Sequence, residues 1–435
     1  MKCGWPLPRL GQSLASVRNT FSGAPILAIV TIALAAGFLL CGYALIRSPS
    51  TSLYIEVYGA DKLPYAMVAG TGFTIVFLYG YGWLLTWMGP RRTILFISIL
   101  SCFVIACCYF VLRRGISLAA LALYAFREAY IVVVIEQYWS FINSILNERQ
   151  AKKFNGPITG VGSAGAVLGG IMVARLAKPI GSEALLLLAA ASLLPAAFCS
   201  ELSYRFGGEP APSEEEHGRK SLALSLFVES SYLRRIGLLI VLTQAISTAL
   251  DLRFSALLEQ SLPVLDERTA YLGNFYTMLN GSAFVVQFVV APLLLSYVSL
   301  RFIHAGIPIV HVAAAVVLMV KASLFTGGLA YFLFKVLDYS IFRAGKEIFY
   351  IPLSFDSRYR AKEVIDSFGY RASKGIAAGL ASLATMIFSV LPGATYPSAA
   401  LVSAAGWFAV VRKLVRQHDN ILKQSSMTPE GTQSR

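Results

Sequence analysis

The chain has 435 residues, of which 56% are hydrophobic and only 14% charged, with a mean hydropathy of +0.65 and a formal net charge of +14. Soluble domains carry about a quarter of their residues as charges, so a chain of water-soluble domains is excluded. The positive charge lies in short segments between apolar runs and leaves no basic, aromatic-studded groove for nucleic acid.

The first apolar run, 25–46, starts too late and runs too long for the core of a removable signal, and no small-residue cleavage site follows it. It is expected to remain as an uncleaved first helix. A bilayer core of about 30 Å takes about 20 helical residues per crossing. Runs of that length continue at 63–87, 93–112, 116–145, 157–180, 183–203, 235–257, 270–295, 301–320, 322–351, 365–391 and 395–412. Backbone groups must be satisfied inside lipid, so repeated runs of this length mean helices. The expected fold class is an all-α integral membrane protein of about twelve transmembrane helices. The fourth and tenth runs exceed a simple crossing and should tilt or protrude. With both termini cytoplasmic, the inner segments hold twenty-two Lys and Arg, including Arg91, Arg92, Lys152, Lys153, Arg412 and Lys413. The outer segments hold eight: Arg47, Lys62, Arg113, Arg114, Arg175, Lys178, Arg268 and Lys321. That asymmetry follows the positive-inside rule.

Charges inside apolar spans cost at least about 2.5–3.5 kcal/mol at mid-bilayer, so they normally face a cavity or a partner. Span 4 carries Arg127, Glu128 and Glu136. Span 5 carries the glycine run Gly160, Gly162, Gly165, Gly169 and Gly170, whose small residues let helix backbones approach. As ordinary packing or as a sliding seam, it looks the same in sequence. The stretch 204–222, rich in Gly, Pro and Glu, reads as a solvated linker near the middle of the chain. Span 7 carries Asp251 and Arg253, span 10 carries Lys335, Asp338, Arg343, Lys346 and Glu347, and span 11 opens with Asp366, Arg371 and Lys374. Lys335/Asp338 and Arg343/Glu347 have the spacing of pairs on one helix face. The mid-depth charges read either as a neutral structural pair or as a cavity lining. Those near the inner interface could instead snorkel to headgroups. Cys41, Cys102, Cys107, Cys108 and Cys199 lie in or beside apolar spans and Cys3 lies near the terminus, with no Cys-x-x-Cys. The four histidines lack metal-ligand spacing, so no metal or other cofactor is expected. No Ser/His/Asp constellation points to an enzyme.

At an offset of 210 residues, Ala151/Ala361, Lys152/Lys362, Ser163/Ser373, Gly165/Gly375 and Gly169/Gly379 are identical. Parallel six-helix halves are a known transporter plan. The expected organisation is an N-terminal bundle over 1–203, a cytoplasmic linker over 204–234, and a C-terminal bundle with a cytoplasmic tail over 235–435.

The segment 339–353, YSIFRAGKEIFYIPL, followed by AKEVID at 361–366, resembles a signature of the ATP/ADP translocase (nucleotide transporter) family of plastids and intracellular bacteria. YWSFIN at 138–143, AKKF at 151–154 and GVG at 160–162 are similar to that family's helix 4–5 region, with weaker likeness at YALIR, 43–47, and GNF, 273–275. The resemblance implies the major facilitator superfamily fold, of which the loop 82–92, GWLLTWMGPRR, keeps a degraded motif. Thr86 stands where that motif has its acid and Trp87 where it has its first arginine. It also implies substrate residues, but the chain departs at most of them. Ser50 stands where the family has a nucleotide-binding lysine. The helix 4 glutamate falls on Arg127, or on Glu128 after a one-residue shift, and the helix 7 glutamate falls near Asp251. The helix 10 lysine is kept as Lys346.

These observations lead to an expected secondary transporter of an anionic, nucleotide-like or phosphorylated metabolite, working by alternating access with a proton or a counter-substrate. The expected location is a bacterial inner membrane. Glu128, Asp251, Lys335, Asp338, Arg343 and Lys346 are the expected pathway residues, with Lys346 or Arg343 holding the anion. The alternatives are a proton-coupled exporter of a lipophilic or cationic solute, using Glu128 or Asp251, and a non-transporting membrane scaffold or receptor.

Overall fold

The computed structural model describes residues 23–146, 148–208, 227, 230–353, 362, 364–388 and 391–427. Twelve long helices account for most of them. They are α1 (Gly23–Tyr58), α2 (Leu63–Met88), α3 (Pro90–Arg113), α4 (Leu118–Ile145), α5 (Glu148–Ile180) and α6 (Ala184–Gly207). The second set is α7 (Ser231–Ser261), α8 (Leu265–Tyr297), α9 (Leu300–Val320), α10 (Leu324–Phe349), α11 (Tyr370–Phe388) and α12 (Thr395–Met427). Eleven are long and apolar enough to cross a membrane. The remaining one, α11, carries Arg371 and Lys374 in its first turns, which lowers its hydropathy.

Turn chemistry sets the breaks between helices. Gly59 (φ 84°) follows α1, and Gly89 (φ 77°) separates α2 from α3 just before Pro90. Glycine reaches such angles without a side-chain clash, and proline is tolerated in a helix's first turn because its missing N–H would be unpaired there anyway. Two helices run well past their apolar cores. α1 continues twelve residues beyond 46, passing through Pro49, and α12 extends fifteen beyond 412. A π turn interrupts α8 at Val286–Val290 and α10 at Asp338–Phe342, and another, Val364–Gly369, leads into α11. Most of the expected 204–234 linker lies outside the described residues.

Apolar side chains gather into one large cluster drawn from Tyr232 to Val415 and two clusters drawn almost wholly from Ile29 to Tyr204. Each half of the chain therefore has its own core. A smaller cluster joins them, with Tyr54, Leu63, Met67 and Tyr124 from the first half meeting Leu252 and Ala378 from the second. Between halves, α5 lies along α8 and α2 lies along α11. The described residues of the offset-210 repeat lie in α5 and, over 364–379, in the π turn before α11 and in α11 itself.

The glycine run of α5 has two faces. A Cβ on Gly165 or Gly169 would strike the α1 backbone at Gly37 or Cys41, inside the first half. One on Gly170 would strike Thr277 of α8, and one on Gly273 of α8 would come within 2.6 Å of the Ala174 nitrogen. Packing within the half and the seam between halves therefore use different glycines.

The turns that follow α1, α5 and α7 share one end of the molecule, here the far end, opposite the α1 start and the α12 end. Polar contacts tie the halves together there. Ser182 donates to Asp266 from its backbone N (2.7 Å) and its Oγ (2.6 Å), and Lys178 donates to Glu267 (3.1 Å). Arg268, 2% exposed, donates to the Ser52 carbonyl (3.2 Å) and to Glu56 (3.3 Å), while the Ala60 N–H donates to Glu259 (3.0 Å). Among the described residues, the hydrogen bonds that cross between halves lie at this end or at mid-depth.

Candidate functional site

A cavity of about 110 Å³ lies between the halves, and its lining is drawn from α1, α2, α4, α7, α8, α10 and α11. Helical spacing puts the polar groups there. Tyr43, Arg47 and Thr51 repeat every four residues along α1, Ser247 and Asp251 do so on α7, and Tyr331, Lys335 and Tyr339 do so on α10. Residues four apart share a helix face, so each otherwise apolar helix turns one polar and aromatic stripe inward. Tyr124, Arg127 and Glu128 of α4, Tyr276 of α8 and Lys374 of α11 complete the charged and aromatic wall.

Arg127 is 4% exposed, and its Nη1 and Nε are engaged by protein acceptors. Its Nη1 donates to the Arg47 carbonyl (2.5 Å), Thr51 Oγ1 (2.6 Å) and Ser50 Oγ (2.7 Å), and its Nε faces Glu128 Oε1 (3.3 Å). The stretch after Pro49 makes this possible. Proline removes one backbone bond from the helix, and hydroxyls fill in around it, with Ser50 Oγ donating to the Ile46 carbonyl (2.7 Å) and Thr51 Oγ1 to that of Arg47 (3.1 Å). Serine 50, the position of the family's lysine, is fully buried in this junction.

Glu128 bridges the halves by accepting from Lys374 Nζ (2.8 Å). Lys335 donates to Ser247 Oγ (2.9 Å) and lies among the rings of Tyr331 and Tyr339, at 5.5 and 5.4 Å. The Arg47 guanidinium stacks on Tyr276 of the other half, its Cζ 3.8 Å from the ring centre. Among the described residues, the Arg47 side chain makes no hydrogen bond or ion pair, and Asp251 makes no ion pair.

Three of the six sequence-predicted site residues, Glu128, Asp251 and Lys335, line this cavity. Asp338, Arg343 and Lys346 do not. The expected Lys335/Asp338 pair does not form, because Lys335 reaches across to α7 and the helix register changes at Asp338, where the π turn begins. Nor does Arg343 meet Glu347. Glu347 accepts from Lys362 (2.6 Å) and lies 3.7 Å from Lys346, while Arg343 is exposed, its Cζ 5.9 Å from the Tyr339 ring centre. Lys346 is 2% exposed, between the rings of Tyr350 and Tyr370, so it does not snorkel to headgroups.

In the sequence, Arg47 reads as an outer-segment residue, because the first apolar run ends at 46. Arg127 and Lys374 read there as charges within spans and not as pathway residues. The four-residue spacing of Tyr and basic residues on α1 and α10 was the available signal.

A family model described as the TLC ATP/ADP transporter matches residues 277–418. The relatives include "ADP,ATP carrier protein 3" of Rickettsia bellii, 24% identical over 359 residues that cover 69% of this chain and 71% of the relative. The same-named protein of Rickettsia felis is 23% identical, covering 63% of this chain and 64% of its own length. "ADP,ATP carrier protein 1, chloroplastic" of Arabidopsis thaliana is 25% identical, covering 69% and 54%. Among solved structures, the POT family transporter PepTSo superposes with a TM-score of 0.64 at 12% identity, over 90% of this chain and 98% of that one. The nucleoside transporter NupG does so with a TM-score of 0.63 at 11% identity, over 89% and 98%. Those two likenesses show the fold alone, the helical-bundle fold of those two transporters.

Proposed function

We propose that this chain, a divergent member of the ATP/ADP translocase family and a multi-pass membrane transporter, carries an anionic, phosphorylated or nucleotide-like metabolite by alternating access. The observation that carries this reading is the charge of the cavity. Four cations, Arg47, Arg127, Lys335 and Lys374, face two acids, Glu128 and Asp251, a formal excess of +2. Tyrosines from both halves surround them and suit a planar base or ring.

The cavity's volume of about 110 Å³ is well below the roughly 300–1,000 Å³ of drug-sized ligand pockets. A nucleotide-sized solute therefore requires the halves to part. Separate apolar cores support rocking of the two halves as units, with 204–234 as their linker. In this reading both termini lie in the cytoplasm of a bacterium, and the latched far end faces outward.

ATP and ADP themselves are poor candidates. Ser50 replaces the lysine, and Arg127, which donates to Ser50, has its Nη1 and Nε committed inside the protein. Phosphate recognition depends on charge-assisted hydrogen bonds, and one donor set is missing. Thermal-shift screening against nucleoside mono-, di- and triphosphates, sugar phosphates and dicarboxylates should give its largest rise with an anion other than ATP or ADP, since a ligand stabilises in proportion to ln(1 + [L]/Kd). Labelled ATP should exchange poorly against ADP in proteoliposomes. Rapid ATP/ADP counterflow would overturn the cargo assignment, and uptake of only neutral or cationic solutes would overturn the anionic reading.

One observation favours a proton as the coupling ion in a second reading. Glu128 is bridged to Lys374 and Arg127, whereas Asp251 makes no ion pair among the described residues, so Asp251 is the acid this reading assigns to coupling. Asp251→Asn should then abolish gradient-driven accumulation while sparing exchange at equal pH.

A further inference from the structure

We infer that the terminal phosphoryl group of the cargo is clamped between Arg47 of the first half and Lys335 of the second, and that it takes Arg47 from the ring of Tyr276. The inference rests on the anionic reading above and assigns its binding residues. Of the four cavity cations, Arg127 and Lys374 both neighbour Glu128, and Arg127 also holds three oxygens of the α1 junction. Arg47 and Lys335 have no ion pair among the described residues. Arg47 is only half-buried and lines the cavity, so its planar N–H fork, which suits two oxygens at once, has no acceptor among them. Lys335 spends one of its three donors on Ser247.

Charge decides between ligand classes. A phosphomonoester carries about −1.5 to −2 at neutral pH, which matches two cations, whereas a monocarboxylate leaves one uncompensated. Position decides what binding does. Arg47 stands on α1 and Lys335 on α10, so one phosphoryl group held by both joins the halves. The 3.8 Å stack of Arg47 on Tyr276 already joins them when no anion is bound. The tyrosine face, negative at its centre, then acts as a stand-in for the anion and competes with it.

The test uses purified full-length protein in detergent, with inorganic phosphate, AMP and adenosine as probes and titration calorimetry as the readout. Wild type should bind AMP, bind phosphate more weakly, and ignore adenosine at the same concentrations. Arg47→Gln and Lys335→Gln should each weaken both anions by about tenfold or more, as expected for loss of a charge-assisted contact, with the melting temperature of the empty protein nearly unchanged. Arg47→Lys keeps the charge without the fork and should fall in between, and it serves if Arg47→Gln does not fold. Tyr276→Leu should bind inorganic phosphate about threefold tighter, because a competing cation–π contact is gone. A merely structural role for Arg47 would not produce that gain. If wild type binds neither anion, the anionic reading itself falls and the clamp with it. If wild type binds and the Arg47 and Lys335 variants bind equally well, only the clamp is overturned.

Discussion

Lys374 and Glu128 meet 2.8 Å apart from opposite halves, and each keeps about a quarter to a third of its side chain open, 30% and 24%. Removing one partner of a fully buried pair costs about 3–5 kcal/mol. Partial exposure reduces that, so Lys374→Met should lower unfolding stability by about 1–3 kcal/mol. Adding Glu128→Gln should restore part of the loss, because the stranded carboxylate is gone. Melting curves of the two single variants and the double variant check this, and a double variant as unstable as the sum of the singles would show that the two do not interact. The depth of charge along apolar runs was enough to find Glu128, Asp251 and Lys335 in the sequence. Arg47 could not be found that way. A proline two residues later usually ends a helix, and nothing in the one-dimensional pattern says that Ser50, Thr51 and Arg127 will satisfy the Ile46 and Arg47 carbonyls just before it. Asp338 and Lys346 show the opposite failure. Both are buried outside the cavity lining, and protein interior and protein cavity look alike in sequence.

The helices were legible in their apolar cores and less so at their ends. The rise of hydropathy marks the stretch that lipid must cover, whereas the extensions of α1 to Tyr58 and α12 to Met427 are amphipathic or polar and carry no such signal. The glycine run of α5 was visible, but its division of labour was not, because faces 100° apart on one helix meet different neighbours. That division makes a testable contrast. Gly165→Leu places bulk against the Gly37 backbone within one half and should sharply reduce folded yield and melting temperature. Gly273→Ala presses on the Ala174 backbone across the seam and should leave each half folded while slowing transport. Equal losses of yield for the two would mean that the seam is as fixed as the interior of a half. Size-exclusion profiles, melting curves and uptake on the same preparations separate these outcomes.

At the scale of the whole molecule, the repeat at offset 210 pointed to helices that each lie against the opposite half, α5 on α8 and α11 on α2. It could not show which end is sealed, since that depends on Ser182, Asp266, Lys178, Glu267 and Arg268 meeting across turns far apart in sequence. Arg268→Ala should loosen the far end by removing donors to Ser52 and Glu56 from the other half. A cysteine placed by Thr248→Cys in the cavity lining should then react faster with a membrane-impermeant maleimide from that side. Unchanged labelling would assign the seal to the apolar contacts beneath. The excess positive charge of the cavity has a kinetic consequence as well. Under the proposed alternating access, resetting without cargo would enclose about two uncompensated charges away from water, at a cost on the order of several kcal/mol. The proposed phosphoryl group would cancel them. The return step should thus be slow when the carrier is vacant and fast when it is loaded. Vesicles already filled with the solute should take up labelled solute many times faster than empty ones, and the carrier should trade one anion for another far more readily than it accumulates either.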